Sequence, residues 1–167
     1  AGLQSLWLAI SGFMTGGFAP MSESVLYYHS FAIEFVLMVL MVGGSVNFVL
    51  YAEIWRGRLD SFFKDIEIRT MVIWLAIMTL VFAASLTATA EFDSLPAMMR
   101  RGLFMLISAF STTGFQNITS NQLVTAFSSG AFLVVALLMA VGGSAGSTTG
   151  GIKFARIGFI FKSIVAT

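Results

Sequence analysis

Residues 103–115 read LFMLISAFSTTGF, and residues 6–18 read LWLAISGFMTGGF. Seven positions of the thirteen coincide: Leu6/Leu103, Ile10/Ile107, Ser11/Ser108, Phe13/Phe110, Thr15/Thr112, Gly17/Gly114 and Phe18/Phe115. A second pair of anchors follows in the same order, LMVLMVGGS at 37–45 and ALLMAVGGS at 136–144. Offsets of 97 and 99 residues mark a duplicated unit rather than a coincidence. Each copy runs from a short apolar segment to Thr-x-Gly-Phe, through a polar loop, into a long apolar segment broken by glycines. The second copy is preceded by a further apolar stretch, 71–90, that the first lacks.

The composition states the solvent in which this unit works. The 167 residues are 57% hydrophobic and 10% charged, with a mean hydropathy of +0.92. A soluble domain of this size needs far more charge to cover its surface. The stretches 31–55, 71–90 and 131–141, the last resuming at 152–165, approach the ~20 residues that cross a bilayer as a helix. The expected class is an all-α integral membrane protein. A net charge of +1 gives no reason to expect nucleic acid, and the lack of cysteine removes disulfides and thiolate metal sites. The first twenty residues are apolar without a basic flank, which argues against a signal peptide; opening at Ala1 inside an apolar run, the chain is expected to be a piece of a longer polypeptide.

The segments 3–13 and 99–110 are too short to span; about ten residues reach only ~15 Å as a helix. They are expected to dip into the bilayer and return. Non-helical backbone at that depth is tolerated only where protein buries it or water lines it. Thr-x-Gly-Phe suits such a place. Glycine admits backbone conformations that turn carbonyls onto a narrow path, threonine adds a hydroxyl, and the short helix aims its negative dipole end at a cation. This is the pattern of a re-entrant cation pore loop. A pair of ordinary turns between buried helices is the plainer alternative.

With these residues in view, the chain resembles the Trk/Ktr/HKT superfamily of potassium and sodium transporters. Its subunits fuse four outer-helix, pore-loop, inner-helix units, with one key filter glycine in each. The resemblance implies that Thr15, Gly16, Gly17 and Phe18 form one filter strand and Thr112, Thr113, Gly114 and Phe115 another. The segment GGSAGSTTGGIKFAR at 142–156 resembles the last inner helix of bacterial members. On that match, residues 1–56 are the third unit without its outer helix, 57–69 a cytoplasmic linker, and 70–167 the complete fourth unit. Two strands alone do not surround a pore, so the first half of the subunit is an expected partner.

Continuous helices over 27–56 and 126–165 would measure roughly 45 Å and 60 Å, too long for a bilayer. Breaks are expected at Gly43-Gly44-Ser45, with Asn47 as a cap or cross-bond, and through the tract 142–151, which contains Gly142, Gly143 and Gly146. The hydroxyls of Ser144, Ser147, Thr148 and Thr149 can satisfy freed backbone groups there. The resemblance implies a gating loop beneath the filter, belonging mainly to the third unit and mapped to Gly43–Asn47. The tract is no nucleotide P-loop, because Ile152 separates its last glycine from Lys153 and Phe154, not Ser or Thr, follows the lysine; a flexible linker remains the bland reading. Arg156, then Lys153, are the candidates for a basic residue near the pore, against the alternative of interfacial snorkelling. Glu34 is read as a structural hydrogen-bond or ion-pair partner, and His29 as a loop residue.

Arg56, Arg58, Lys64 and Arg69 in 56–69 place that loop in the cytoplasm and both pore loops outside. Nothing resembles a catalytic constellation, so no enzyme activity and no cofactor are expected. The leading reading is a potassium-conducting pore subunit in a cell membrane, a bacterial inner membrane, with K⁺ as the transported ion. A homodimer and a cytoplasmic nucleotide-binding regulatory subunit are the partners that the resemblance implies. The alternatives are a sodium-permeable pore and an ion-coupled secondary transporter with discontinuous helices.

Overall fold

The computed structural model describes residues 2–86, 95–119 and 129–165. Its elements follow the repeat. In the first unit, α1 (Gly2–Phe13) is followed by the Thr-x-Gly-Phe turn and a 3₁₀ turn at Ser24–Tyr28, then α2 (Phe31–Ser45) and α3 (Phe48–Trp55). A short linker helix, α4 (Leu59–Lys64), leads into α5 (Ile66–Leu86). The second unit then repeats the order with α6 (Leu95–Phe110), α7 (Ser129–Ala140) and α8 (Phe154–Val165). The described residues are helical or irregular, with one isolated parallel bridge between Val141 and Ile152 in place of any strand.

α5 is the outer helix, and it is long and apolar enough to cross a membrane over Ile66–Ser85, at a mean hydropathy of 1.9. It begins earlier than the expected 71, because Asp65 terminates α4 and caps the next helix: its Oδ1 accepts from the Glu67 and Ile68 amides at 2.8 and 3.1 Å. Residues 66–69, expected in the linker, are therefore the first turn of α5. The ends expected at 87–90 and at 126–128 lie outside the described residues. α6 is longer than the expected short segment, with 16 residues against 12 in α1.

The first inner helix breaks, but not where glycine predicts. Gly43, Gly44 and Ser45 are helical; the chain turns through 96° at Val46-Asn47. Asn47 starts α3 by accepting from the Val49 amide at 2.9 Å. The glycines serve close packing instead. A Cβ on Gly44 would lie 2.0 Å from the Phe13 carbonyl oxygen, so only glycine lets the end of α1 rest on α2. His29, with φ 45°, ends the 3₁₀ turn.

Two apolar clusters hold the units. One joins α5, α6, α7 and α8 through Met78, Phe82, Leu106, Phe110, Leu138 and Phe154. The other crosses between units, setting Phe104, Ile107 and Phe115 of the second against Leu8, Leu37 and Met41 of the first. The same boundary carries an ion pair whose carboxylate is buried and whose guanidinium is partly exposed. Arg100 of α6 grips Glu34 of α2 through Nε at 2.7 Å and Nη2 at 2.8 Å, and stacks over Phe31 at 5.5 Å. Glu34 is thus a structural carboxylate, as the sequence suggests.

Removing one member of a buried pair strands the other charge, at a cost of roughly 3–5 kcal/mol. Arg100→Ala should fall near the lower end, because the guanidinium is partly exposed. The expected result is a lowered thermal unfolding midpoint in detergent for Arg100→Ala, largely restored in the Arg100→Met/Glu34→Gln double variant. An unchanged midpoint in the single variant would show the pair to be dispensable.

Candidate functional site

Both Thr-x-Gly-Phe turns are built identically from the C-terminal end of a short helix. In the first, the Thr15 and Gly16 amides bond back to the Gly12 and Ser11 carbonyls at 3.2 and 2.8 Å. In the second, the Thr112 and Thr113 amides bond to Ala109 and Ser108 at 2.9 Å each. Thr15 and Thr112 both sit in the left-handed region, at φ 51° and 54°. A β-branched residue pays about 1–3 kcal/mol for that conformation, so it persists only where other bonds over-determine it.

Those bonds run to the unwound segment 141–153. The Thr15 hydroxyl donates to the Thr148 carbonyl at 2.9 Å, and the Gly150 amide donates to the Thr112 hydroxyl at 2.7 Å. The two turns also touch. A Cβ on Gly17 would lie 1.9 Å from the Thr113 carbonyl oxygen, so the backbones of the two turns lie side by side. Gly114, at φ +85°, instead faces open space. Gly16 is exposed, Thr113 is buried with its hydroxyl 2.6 Å from that of Ser111, and the equivalent Phe18 and Phe115 differ: the first is exposed, the second buried.

Segment 141–153 is unwound as its glycines predict. It leaves α7 and returns so that Val141 and Ile152 run side by side in parallel, with the Ile152 amide bonded to the Ala140 carbonyl at 2.8 Å. Gly142 packs under the second turn, close to the Phe110 carbonyl and the Thr112 side chain, and Gly143 wraps against Thr149. The rest knits onto the first inner helix. The Ser144 and Thr148 amides donate to the Ser45 and Gly44 carbonyls, each at 3.1 Å, and Gly146 lies against the Asn47 side chain. Thus the two expected breaks, Gly43–Asn47 and Gly142–Gly151, meet in one body beneath both turns.

Lys153 folds onto that body, donating to the Thr149 carbonyl and, at 3.2 Å, to the Thr149 hydroxyl. Arg156 is exposed on α8. Sequence reasoning missed Glu67. Its buried carboxylate accepts from the Ala145 amide at 3.2 and 3.3 Å, pinning the unwound segment to the start of the outer helix. In sequence it is one of several acids in a mixed-charge stretch, with no pattern to single it out. Ser11 and Ser108 were legible: they are identical in the repeat, and both brace a turn, Ser11 accepting from the Phe18 amide and Ser108 donating to the Phe115 carbonyl, each at 2.8 Å. Among the described residues no cluster of His, Cys, Asp or Glu could hold a metal ion.

Thr148 is the central tie, its hydroxyl 3.2 Å from the Phe13 carbonyl and 3.0 Å from that of Gly44. Thr148→Val should loosen the segment by about 1 kcal/mol, roughly a five-fold rise in local opening. The expected readout is faster trypsin cleavage at Lys153 in detergent, with the global unfolding midpoint little changed. Equal cleavage rates would mean that the hydroxyl bears no load.

Comparison with known proteins agrees with this geometry. Residues 1–167 match the TrkH family, described as a cation transport protein. The chain is 33% identical to the Trk system potassium uptake protein TrkH of Halomonas elongata, over 88% of this chain and 30% of that protein. It is 30% identical to an uncharacterized cation transporter of Methanocaldococcus jannaschii, over 96% of this chain and 30% of that protein. The crystal structure of the potassium transporter TrkH from Vibrio parahaemolyticus superposes with a TM-score of 0.82 at 25% identity, covering 94% of this chain and 36% of that one. The chain thus spans about a third of the length of these relatives.

Proposed function

Since the chain belongs to the TrkH cation transport protein family, we propose that it supplies two pore-loop units of a membrane subunit that conducts potassium ions. The observation that carries this reading is the pair of turns. Two Thr-x-Gly-Phe segments meet backbone to backbone at Gly17 and Thr113, each at the carbonyl end of a short helix and each held in a strained conformation by the unwound segment beneath. Carbonyls and threonine hydroxyls so placed replace the hydration shell of a monovalent cation, and a low-field ring of oxygens suits K⁺. The buried carboxylates Glu34 and Glu67 are engaged by Arg100 and the Ala145 amide.

The filter on this reading comprises Thr15, Gly16, Gly17 and Phe18 with Thr112, Thr113, Gly114 and Phe115. The gate is the segment 141–153, seated on Gly43–Asn47. In the resembling superfamily that loop belongs to the third unit, so we assign these units as the second, without its outer helix, and the complete third. The expected placement as third and fourth units, with the gating loop at Gly43–Asn47, is the alternative. Further units of the same subunit complete the ring. A second copy of the subunit and a cytoplasmic nucleotide-binding regulator acting through the basic linker complete the assembly, in a bacterial inner membrane.

Gly114→Ser is the decisive variant: a Cβ there meets no atom of this chain within 4 Å, and because φ +85° strains any side chain the variant is scored at matched membrane expression. In the full polypeptide, expressed in a K⁺-uptake-deficient cell, it should lower the preference for ⁸⁶Rb⁺ over Na⁺ about ten-fold, a change of ~1.4 kcal/mol. An unaltered ratio would move the ion path elsewhere. Arg156→Ala should raise the uptake rate if its charge faces the conduction path; an unchanged rate would assign Arg156 to the interface.

A further inference from the structure

One amide divides the two inner helices. Gly43-Gly44-Ser45 and Gly142-Gly143-Ser144 are the same tripeptide in the repeat, followed by Val46 in the first copy and Ala145 in the second. The Val46 amide turns back onto its own helix, donating to the Gly43 carbonyl at 3.2 Å. The Ala145 amide instead leaves its own segment and donates to the Glu67 carboxylate, 78 residues earlier in the chain, at 3.2 and 3.3 Å. The Ser144 and Thr148 amides rest on main chain, the Ser45 and Gly44 carbonyls. Segment 141–153 is thus held by two backbone contacts on α2 and by one side chain of α5.

Glu67 does not behave as an ordinary acid in the first turn of a helix. Such an acid usually stays in solvent and complements the positive end of its own helix. Glu67 is 9% exposed and turns both oxygens to a distant amide. A carboxylate so buried is unfavourable without donors, which commits the side chain to that bond. The two distances stand at the outer end of the N–H···O range, so an acid one methylene shorter does not reach. The backbone of Glu67 is fixed as well: its amide donates to Asp65 Oδ1 at 2.8 Å, at the residue where linker helix α4 ends.

We propose that Glu67 is the positioning residue of the gate. Its carboxylate, carried at the linker end of α5, takes the Ala145 amide and keeps segment 141–153 bound beneath the two turns. Loss of that bond lets the segment leave the ion path. The side chain acts through reach and acceptor geometry rather than through its charge. The proposal rests on the reading of 141–153 as the gate of a potassium-conducting subunit.

The test uses three substitutions in the full polypeptide, each read by hydrogen–deuterium exchange over 141–153 and by ⁸⁶Rb⁺ uptake at matched membrane expression. Glu67→Gln keeps an acceptor oxygen at the same reach and should leave both readouts unchanged. Glu67→Asp keeps the charge but loses the reach, and Glu67→Ala loses both. In each of these two, the Ala145 amide should exchange about ten-fold faster. The maximal uptake rate should rise by up to about ten-fold, with the half-saturating Rb⁺ concentration unchanged. A residue needed only as a buried charge or helix-end acid gives the reverse order, Asp like the unsubstituted protein and Gln defective, and that order would overturn the proposal. So would unchanged exchange in Glu67→Ala and Glu67→Asp, or faster exchange with an unchanged uptake rate. Exchange in the expected order, with no ⁸⁶Rb⁺ uptake by the unsubstituted polypeptide, would establish the Glu67–Ala145 bond and refute the potassium reading together with the gating role.

Discussion

A backbone amide or carbonyl without a partner in hydrocarbon costs several kcal/mol, and the whole arrangement depends on that constraint. Among the described residues, the two Thr-x-Gly-Phe turns and segment 141–153 are non-helical backbone set between apolar helices. None could persist alone. They satisfy one another, through Thr15 on Thr148, Thr112 on Gly150, and Ser144 and Thr148 on the carbonyls of Ser45 and Gly44. The left-handed threonines are the visible strain in this mutual arrangement, and their hydroxyl bonds are what hold it. Coupling follows directly. A displacement of 141–153 cannot occur without releasing bonds to both turns, so one body touches both strands of the proposed ion path.

That body is also reached from outside. Glu67, in the first turn of α5, holds the Ala145 amide, and Asp65 just before that helix caps it. The linker helix α4 ends at Asp65. Two residues, Asp65 and Glu67, thus join the end of the linker helix to the unwound segment. Apolar packing supplies the rigid frame against which this acts, with Phe110 and Phe154 joining the ends of α6 and α8 in one cluster.

The repeat, the short helices, the turns and the unwound tract were all legible in the sequence, because each has a local cause. Half-length apolar segments cannot span, and five glycines within 142–151 cannot stay helical at about 1 kcal/mol each. The helix break expected at 43–45 falls at Val46-Asn47 instead, for an instructive reason. Gly43-Gly44-Ser45 and Gly142-Gly143-Ser144 are the same tripeptide at the same place in the repeat, yet the first is helical and the second unwound. Val46 onward resumes a helix-compatible run capped by Asn47, whereas Ala145 onward adds more glycines and hydroxyls. The first copy's glycine is there for the approach of Phe13 to Gly44, which no local pattern reveals.

By itself, then, the sequence determined the solvent, the duplication and the places where helix must stop, since hydropathy, periodicity and glycine content act within a few residues. The tertiary structure decided which glycine bends and which packs, that Glu67 is a clamp, and that equivalent phenylalanines have opposite surroundings. Those outcomes depend on partners 66 to 135 residues away in the chain, such as Glu34 with Arg100 or Phe13 with Thr148. A residue's own neighbours in sequence carry no information about such contacts, because they exist only once two units have been brought together.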